Sequence, residues 1–191
     1  MTLRLPIYDE YQPTLSAVEL STPIDRDRYS ESMNGHGRHC DRCELGTRVS
    51  LRTPCVGADG NPGGLLVVGE APGKDEDVGG RPFIGAPGRL LRLLVGKHWT
   101  GPVAYDSAIR CFPSQGVQLK DKMVNQCRGF LHGTLEEVRP TRIIAVGTLA
   151  AKALFGRTVS PLTTRGGYAY LRGTDLGGHP IPVFFIPTPA A

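Results

Sequence analysis

The sequence VVGEAPGKDEDVGGRPFIGAPG, residues 67–88, follows an apolar run and holds six glycines, three prolines and four acidic residues. A glycine-rich loop that leaves a buried strand commonly holds phosphate on its backbone amides. This loop lacks the Gly-Lys-Ser/Thr ending of a P-loop, and its acidic residues argue against the many phosphates of a nucleotide. A helix is expected from about Pro87 onward, and its first amides could still hold one phosphate. The stretch predicts a strand, a sharp turn and a helix.

Apolar runs and helical patterns alternate along the rest of the chain. Four short apolar runs lie at residues 65–69, 103–109, 142–147 and 183–187. Helical patterns lie between them, at residues 88–97, 121–138 and 148–155. Near-continuous apolar strands are typical of a parallel sheet covered on both faces. The alternation predicts an α/β fold, a three-layer αβα sandwich around a central four-stranded parallel sheet, with its ligand site at the carboxyl ends of the strands.

Length and composition favour one globular domain. The 191 residues suffice for a single core, and residues 1–35, which are polar and aperiodic, predict a poorly ordered extension before a domain at residues 36–191. The net charge of +4 permits an anionic partner such as nucleic acid. No apolar run approaches the roughly 20 residues of a membrane span, and the N-terminus lacks the apolar core of a signal peptide. We therefore expect a cytoplasmic monomer without a membrane partner.

Five cysteines in a reducing compartment are better interpreted as thiols or metal ligands than as disulfides. Cys40 and Cys43 form a C-x2-C pair, Cys111 and Cys127 are separated by fifteen residues, and Cys55 is left over as an expected small core residue. A C-x2-C pair serves zinc, iron–sulfur clusters and redox pairs. The wide second spacing favours a [4Fe–4S] cluster over a zinc ribbon, and buried apolar cysteines are the alternative.

Several motifs carry a family resemblance. GEAPGKDEDVGGRPFIGAPGRLL, residues 69–91, resembles the first motif of the family 4 (iron–sulfur) uracil-DNA glycosylases, GEAPGxxEDxxGxPFVGxAGxLL. CDRCELGTR, YDSAIRC and RPTRIIAVGTLAAKALFG resemble the cysteine pairs, third strand and following helix of that family. The resemblance extends over residues 40–191. It implies a uracil-DNA glycosylase-like fold and a hydrolase that cleaves the N-glycosidic bond of deoxyuridine in DNA, in base excision repair.

The same resemblance implies roles for individual residues. The implied ligands of a [4Fe–4S] cluster of mainly structural function are Cys40, Cys43, Cys111 and Cys127. Phe83 would stack on the flipped uracil, and backbone amides around Gly69 and Gly73 would hydrogen-bond the base. Glu70 and Ala71 would lie in the catalytic loop. Ala71 stands where other uracil-DNA glycosylases carry a water-activating Asp, which leaves Glu70 as the candidate to orient water.

Two positions depart from the family pattern. Ser107 stands where the family has an Asn that binds the uracil edge, and Thr188 where it has a His that donates to a uracil oxygen. Loss of one charge-assisted contact to a developing anion costs about 2–4 kcal/mol. The chain also ends at Ala191, before the family's further loop and helix, so we expect a C-terminally short domain. The expected function is a uracil-DNA glycosylase that is weakened or altered in specificity; the alternative is a catalytically impaired iron–sulfur protein of the same fold that binds DNA or uracil.

Charged residues outside these motifs have simpler interpretations. The acidic run Asp75, Glu76 and Asp77 is expected to be a solvated or amide-capping turn. Flipping enzymes bind mainly the DNA backbone, and the candidates for phosphate contacts are Arg81, Arg89 and Lys120. The histidines expected at the surface or in loops are His36, His39, His98, His132 and His179.

Overall fold

The computed structural model describes residues 40, 43–45, 55–114, 117–156, 168–171 and 179–188. The strands are β1 (Asp59–Gly60), β2 (Leu65–Gly69), β3 (Val103–Ser107), β4 (Arg142–Val146), β5 (Tyr168–Leu171) and β6 (Ile181–Ile186). The helices are α1 (Lys74–Gly79), α2 (Ala86–His98), α3 (Asp121–Val138) and α4 (Thr148–Phe155). The strands form one mixed sheet in the order β1-β3-β2-β4-β6-β5.

The four central strands of this sheet confirm the predicted parallel core. Strands β3, β2, β4 and β6 are parallel neighbours, while β1 and β5 add to the two edges in antiparallel orientation. The sequence did not predict the edge strands, because β1 has two residues and β5 four, too few for a hydrophobic period to show. Short edge strands also protect a sheet from pairing with other chains.

Strand β2 shows why the domain has three layers. Leu66 and Val68 belong to one core cluster, which is shared with α3 and α4. Leu65 and Val67 belong to a second cluster on the other face, which includes Val95 of α2. All four side chains are at most 4% exposed, so both faces of the sheet are covered, as the continuous apolar run predicts.

Helices α3 and α4 begin and end at the predicted residues, whereas the first half of the chain differs. The acidic run forms helix α1, so the predicted turn was wrong, but the predicted amide capping is confirmed at Glu76. Glu76 caps the start of this helix, because its carboxylate accepts from the backbone N–H of Gly73 just before the first turn. Gly80 ends the helix in the left-handed region at φ 66°. Helix α2 begins two residues before the predicted start, with Pro87 in its first turn.

One histidine lies elsewhere than predicted. His132 is 8% exposed, because it follows Leu131 in the buried stripe of α3 that starts at Val124, at the i+7 and i+8 spacing of a helix face. His98 and His179 are exposed, as predicted. The predictions for residues 1–35, His36 and His39 lie outside the described residues. Within the described ranges, no helix combines the length and apolarity that a membrane span requires.

Candidate functional site

The carboxyl ends of β2, β3, β4 and β6 bring most of the predicted site residues to one edge of the sheet. Gly69 ends β2 opposite Ser107 at the end of β3. Val146 and Ile186 are paired at the ends of β4 and β6, and the N–H of Gly147 donates to the carbonyl oxygen of Ile186 over 2.9 Å. The loops that leave these ends therefore meet above the sheet, as the parallel topology predicts.

The carboxylate of Glu70 is the centre of a hydrogen-bond network at this edge. Its Oε1 accepts from the backbone N–H of Leu149 over 3.0 Å and faces the hydroxyl of Thr148 at 3.4 Å. Its Oε2 accepts from the Thr188 hydroxyl over 3.0 Å. Leu149 lies in the first turn of α4, where the helix dipole favours a negative charge. Glu70 and Thr188, predicted on separate grounds, are thus direct partners.

Gly147 makes this partnership possible and was missed by the sequence reasoning. It is the N-cap of α4 with φ 90° and ψ 169°, a conformation that L side chains rarely adopt. A Cβ atom there would also collide with Glu70 and with the Thr188 hydroxyl. A glycine between an apolar strand and a helix was the available signal, in the sequence AVGTLAAK.

Phe83 lies across Gly69 and forms one wall of the site. A Cβ atom on Gly69 would come within 2.9 Å of the Phe83 Cζ atom, so the ring lies directly against the glycine backbone. The ring centroid is 5.6 Å from that of Tyr105 on β3. The backbone of Phe83 has φ 57°, which is unusual for a residue other than glycine and costs about 1–3 kcal/mol. Such strain persists only where surrounding contacts fix the backbone.

Arg92 supplies those contacts and was also missed. Its Nε atom donates to the carbonyl oxygen of Phe83, and its Nη2 atom donates to that of Pro82 over 2.7 Å and to Asp59 Oδ2 over 2.7 Å. Its guanidinium lies 3.9 Å from the centroid of the Tyr105 ring. Arg92 therefore connects the loop, helix α2 and the sheet at one point.

The carboxylate of Glu76 accepts hydrogen bonds from two backbone amides of the glycine-rich loop. Its Oε2 accepts from Gly73 N over 3.0 Å, and its Oε1 accepts from Gly85 N, the N-cap of α2, over 2.7 Å. Glu76 is 9% exposed. The N–H of Gly73, one of the amides predicted to bond the base, is engaged within the loop itself. The glycine-rich loop is thus closed internally by a carboxylate and does not need an external anion.

Ser107 is buried at the end of β3. It is 4% exposed, and its backbone N–H donates to Asp106 Oδ1 over 2.8 Å. Asp106 is fully buried and also pairs with Arg110 over 2.8 Å and with the Thr134 hydroxyl over 2.7 Å. Ala71, predicted in the catalytic loop, is partly buried and packs against the larger core cluster.

The predicted cluster ligands are neighbours in the fold. Cys43 and Cys127 are buried, while Cys40 and Cys111 are partly exposed. Cys43 and Cys127 belong to one core cluster, and Cys111 packs against it. Burial raises the pKa of the Cys111 thiol most, and the other thiols raise it further. Cys55 is partly exposed, so it is not the core residue that the sequence predicted.

The thiols of Cys43 and Cys127 lie in a buried environment. Burial raises the pKa of Cys127 to about 12, although a hydrogen bond from the backbone N–H of Arg110 acts to lower it. Within the described part of the chain, no group of three or more His, Cys, Asp or Glu side chains converges on one metal position. A four-iron cluster takes one thiolate per iron, so its ligands need not converge on one point. Four thiols are the residue types that would hold such a cluster, and three of them, Cys43, Cys111 and Cys127, lie in or against one core cluster.

A basic cleft lies beside Phe83. It has a volume of about 460 Å³ and is lined by Asp75, Arg81, Phe83, Ile84, Arg89 and Arg92. The side chain of Arg81 is 60% exposed and pairs with Asp59 over 3.1 Å, and Arg89 donates to the carbonyl oxygen of Ile84. Lys120 lies outside this cleft and pairs with Glu44 over 3.1 Å. Two of the three predicted phosphate contacts are therefore adjacent to the predicted stacking ring.

Sequence similarity to known proteins identifies the family of this chain. The family model of the uracil DNA glycosylase superfamily matches residues 58–191. The type-4 uracil-DNA glycosylase of Pyrobaculum aerophilum is 34% identical over 139 residues, which are 70% of this chain and 69% of that protein. The corresponding protein of Thermotoga maritima is 30% identical over 74% of both chains, and that of Archaeoglobus fulgidus is 32% identical over 61% of this chain and 58% of its own length. The chain belongs to the uracil DNA glycosylase superfamily, among the relatives of its type-4 members.

Proposed function

We propose that this chain is a uracil-DNA glycosylase, a hydrolase that removes uracil from DNA in base excision repair. The observation that carries the proposal is the joining of two loops at one strand edge, where Glu70 after β2 bonds to Thr188 after β6 while Phe83 covers Gly69. Membership of the superfamily and the names of the similar proteins support it. We further expect a cytoplasmic protein that acts as a monomer.

Each part of the site has a task in the reaction. The deoxyuridine leaves the base stack, and its uracil stacks on the Phe83 ring, with backbone amides near Gly69 hydrogen-bonding the base. When the C1′–N1 bond breaks, its electron pair goes to the uracil and positive charge develops on the sugar. The Glu70 carboxylate, fixed by donors on two sides, is a preorganised negative charge for that developing cation. Ser107, opposite Gly69, is the residue proposed for the uracil edge.

The basic cleft is the proposed contact for the DNA backbone. Arg81 and Arg89 line it next to Phe83, so phosphates beside the flipped nucleotide can be held without base readout. Asp59 and Asp75 reduce the net charge there, which favours moderate, salt-sensitive binding over tight capture.

The cysteines that we propose as cluster ligands tie distant segments together. Cys40 and Cys43 precede the sheet, Cys111 follows β3 and Cys127 lies in α3. A bound [4Fe–4S] cluster would supply a structural cross-link among these segments. Iron and sulfide analysis of anaerobically purified protein tests this: about four of each per chain are expected for the wild type. Cys111→Ser should lose them and Cys55→Ser should keep them, whereas a protein loaded with zinc would contradict the assignment.

A second candidate function, binding of DNA or uracil without catalysis, has one observation in its favour. The Thr188 hydroxyl donates to Glu70, so in this arrangement it does not donate to a uracil oxygen. A uracil-containing oligonucleotide, followed by alkali to break abasic sites, separates the two functions. A glycosylase gives strand breaks at uracil that fall sharply in Phe83→Ala. Binding with no breaks above the Phe83→Ala background would support the second function.

A further inference from the structure

The hydroxyl hydrogen of Thr188 already forms a hydrogen bond with Glu70. Thr188 Oγ1 lies 3.0 Å from Glu70 Oε2, and a carboxylate can only accept, so the hydroxyl must donate to it. The same oxygen keeps two lone pairs, which can accept but not donate. Because Thr188 is exposed, a molecule bound at this edge can reach those lone pairs.

Glu70 is held in place to receive that hydrogen. The backbone N–H of Leu149 fixes its Oε1 from the first turn of α4. Glu70 and Thr188 lie so close to Gly147 that a side chain at this position would collide with both. The two residues therefore form one preorganised unit, in which a proton that reaches Thr188 has a direct path to Glu70.

Two other carboxylates near this edge, Glu76 and Asp106, are occupied by structural contacts. Glu76 is bonded to the amides of Gly73 and Gly85. Asp106 is fully buried and bonded to Arg110 and Thr134. Glu70, by contrast, connects through Thr188 to an exposed oxygen atom.

We propose that Thr188 is a catalytic residue that holds the attacking water as a hydrogen-bond acceptor and relays its proton to Glu70; this rests on the proposed glycosylase function. As the water oxygen bonds to C1′, the C1′–N1 bond breaks and its electron pair goes to uracil. The water proton moves to Thr188 Oγ1 while the Thr188 hydroxyl proton moves to Glu70 Oε2. Glu70 then returns its proton to solvent, and the departing uracil takes one up.

Three variants separate this role from a structural one under single-turnover conditions. Thr188→Ser keeps the hydroxyl and should cleave within a fewfold of the wild type. Thr188→Val keeps the shape but has no lone pair, so its cleavage rate should fall about 100-fold at unchanged DNA affinity, the scale of a lost proton-transfer group. The combined variant Thr188→Val, Glu70→Gln should fall little further than either single change, because the two residues act as one unit.

Thr141→Val is the matched control, since its hydroxyl bonds to the Gly64 carbonyl at the opposite end of the sheet. It should cleave like the wild type, and thermal unfolding should show that all variants are folded. If the wild type is active and Thr188→Val is equally active, the proton relay is overturned and the proposed glycosylase function stands. A Thr188→Val variant that loses DNA affinity but keeps its cleavage rate would also overturn the relay, because Thr188 would then contact the uracil base and not the water. A wild type that binds uracil-containing DNA without cleaving it would overturn the proposed function itself.

Discussion

Arg92 holds the backbone of Phe83 in its left-handed conformation, with its Nε atom 3.1 Å from the Phe83 carbonyl oxygen. The same side chain bonds the Pro82 carbonyl and stacks on Tyr105. The left-handed conformation costs a residue other than glycine about 1–3 kcal/mol, so without these contacts Phe83 would leave it. The stacking ring of the proposed uracil pocket is therefore positioned by a residue on a neighbouring helix.

Replacing that residue should weaken the pocket without removing it. In Arg92→Met, we expect DNA affinity for a uracil-containing oligonucleotide to fall roughly tenfold, because the loop regains other conformations. Fluorescence anisotropy with labelled DNA measures this. Arg142→Met is the control, since Arg142 lies over Trp99 at the start of β4, away from the site. Equal losses in the two variants would show that general charge, and not the position of Phe83, is responsible.

The Arg92–Asp59 contact predicts how stability depends on pH. Burial alone would raise the pKa of Asp59, but hydrogen bonds from Arg92 and Arg81 outweigh it and hold the pKa below its usual range. A lowered pKa in the folded state gives stability that is present above the unfolded value of about 3.9 and is lost as the pH falls through the folded value.

In Asp59→Asn, we therefore expect a loss of about 1 kcal/mol at neutral pH, since the pair is partly solvated. The difference from the wild type should shrink as the pH falls below about 4. Urea unfolding across this range measures both curves. A difference that grows towards acid would contradict the assignment of the lowered pKa to these contacts.

Gly147 should not tolerate a side chain. Gly147→Ala must adopt φ near 90° and push Glu70 away from Thr188, so we expect a loss of about 1–3 kcal/mol in the free energy of unfolding together with loss of cleavage. Gly96→Ala is the matched control, because Gly96 is in α2 with open space around it and should gain roughly 0.5–1 kcal/mol. A harmless Gly147→Ala change would show that the Glu70–Thr188 contact is not fixed by this turn.

The salt dependence of DNA binding should show whether the basic cleft contacts the DNA phosphates. Arg81→Ala and Arg89→Ala should each lower the slope of log K against log salt by about 1, the value for one lost phosphate contact. Lys120→Ala should leave the slope close to that of the wild type, because Lys120 pairs with Glu44 outside the cleft. Equal slopes for all three variants would place the DNA elsewhere on the surface.

What the sequence predicted well depended on local patterns. The four parallel strands and helices α3 and α4 follow from continuous apolar runs and a 3.6-residue period, which are visible in any short window. Strands β1 and β5 are too short to show a period, and α1 depends on the carboxylate of Glu76, which a glycine-rich sequence does not reveal.

The site was predictable as a set of positions but not as a set of contacts. Glu70, Phe83 and Thr188 stand at recognisable motif positions, and the topology brings them to one edge. The role of Arg92 comes from packing between segments distant in sequence, so no spacing in the chain indicates it. Gly147 stands at a recognisable strand-to-helix junction, but its contact with Glu70 and Thr188 appears only in the fold. The direction of the Thr188 hydrogen bond likewise follows only once its carboxylate partner is known.

Release of the free base tests the central claim most directly. The purified protein is incubated with one oligonucleotide containing a single uracil and with a matched one containing thymine, and the products are identified by mass spectrometry. We predict free uracil and an abasic strand from the first oligonucleotide and no base from the second. DNA that is bound but keeps its uracil attached would contradict the account.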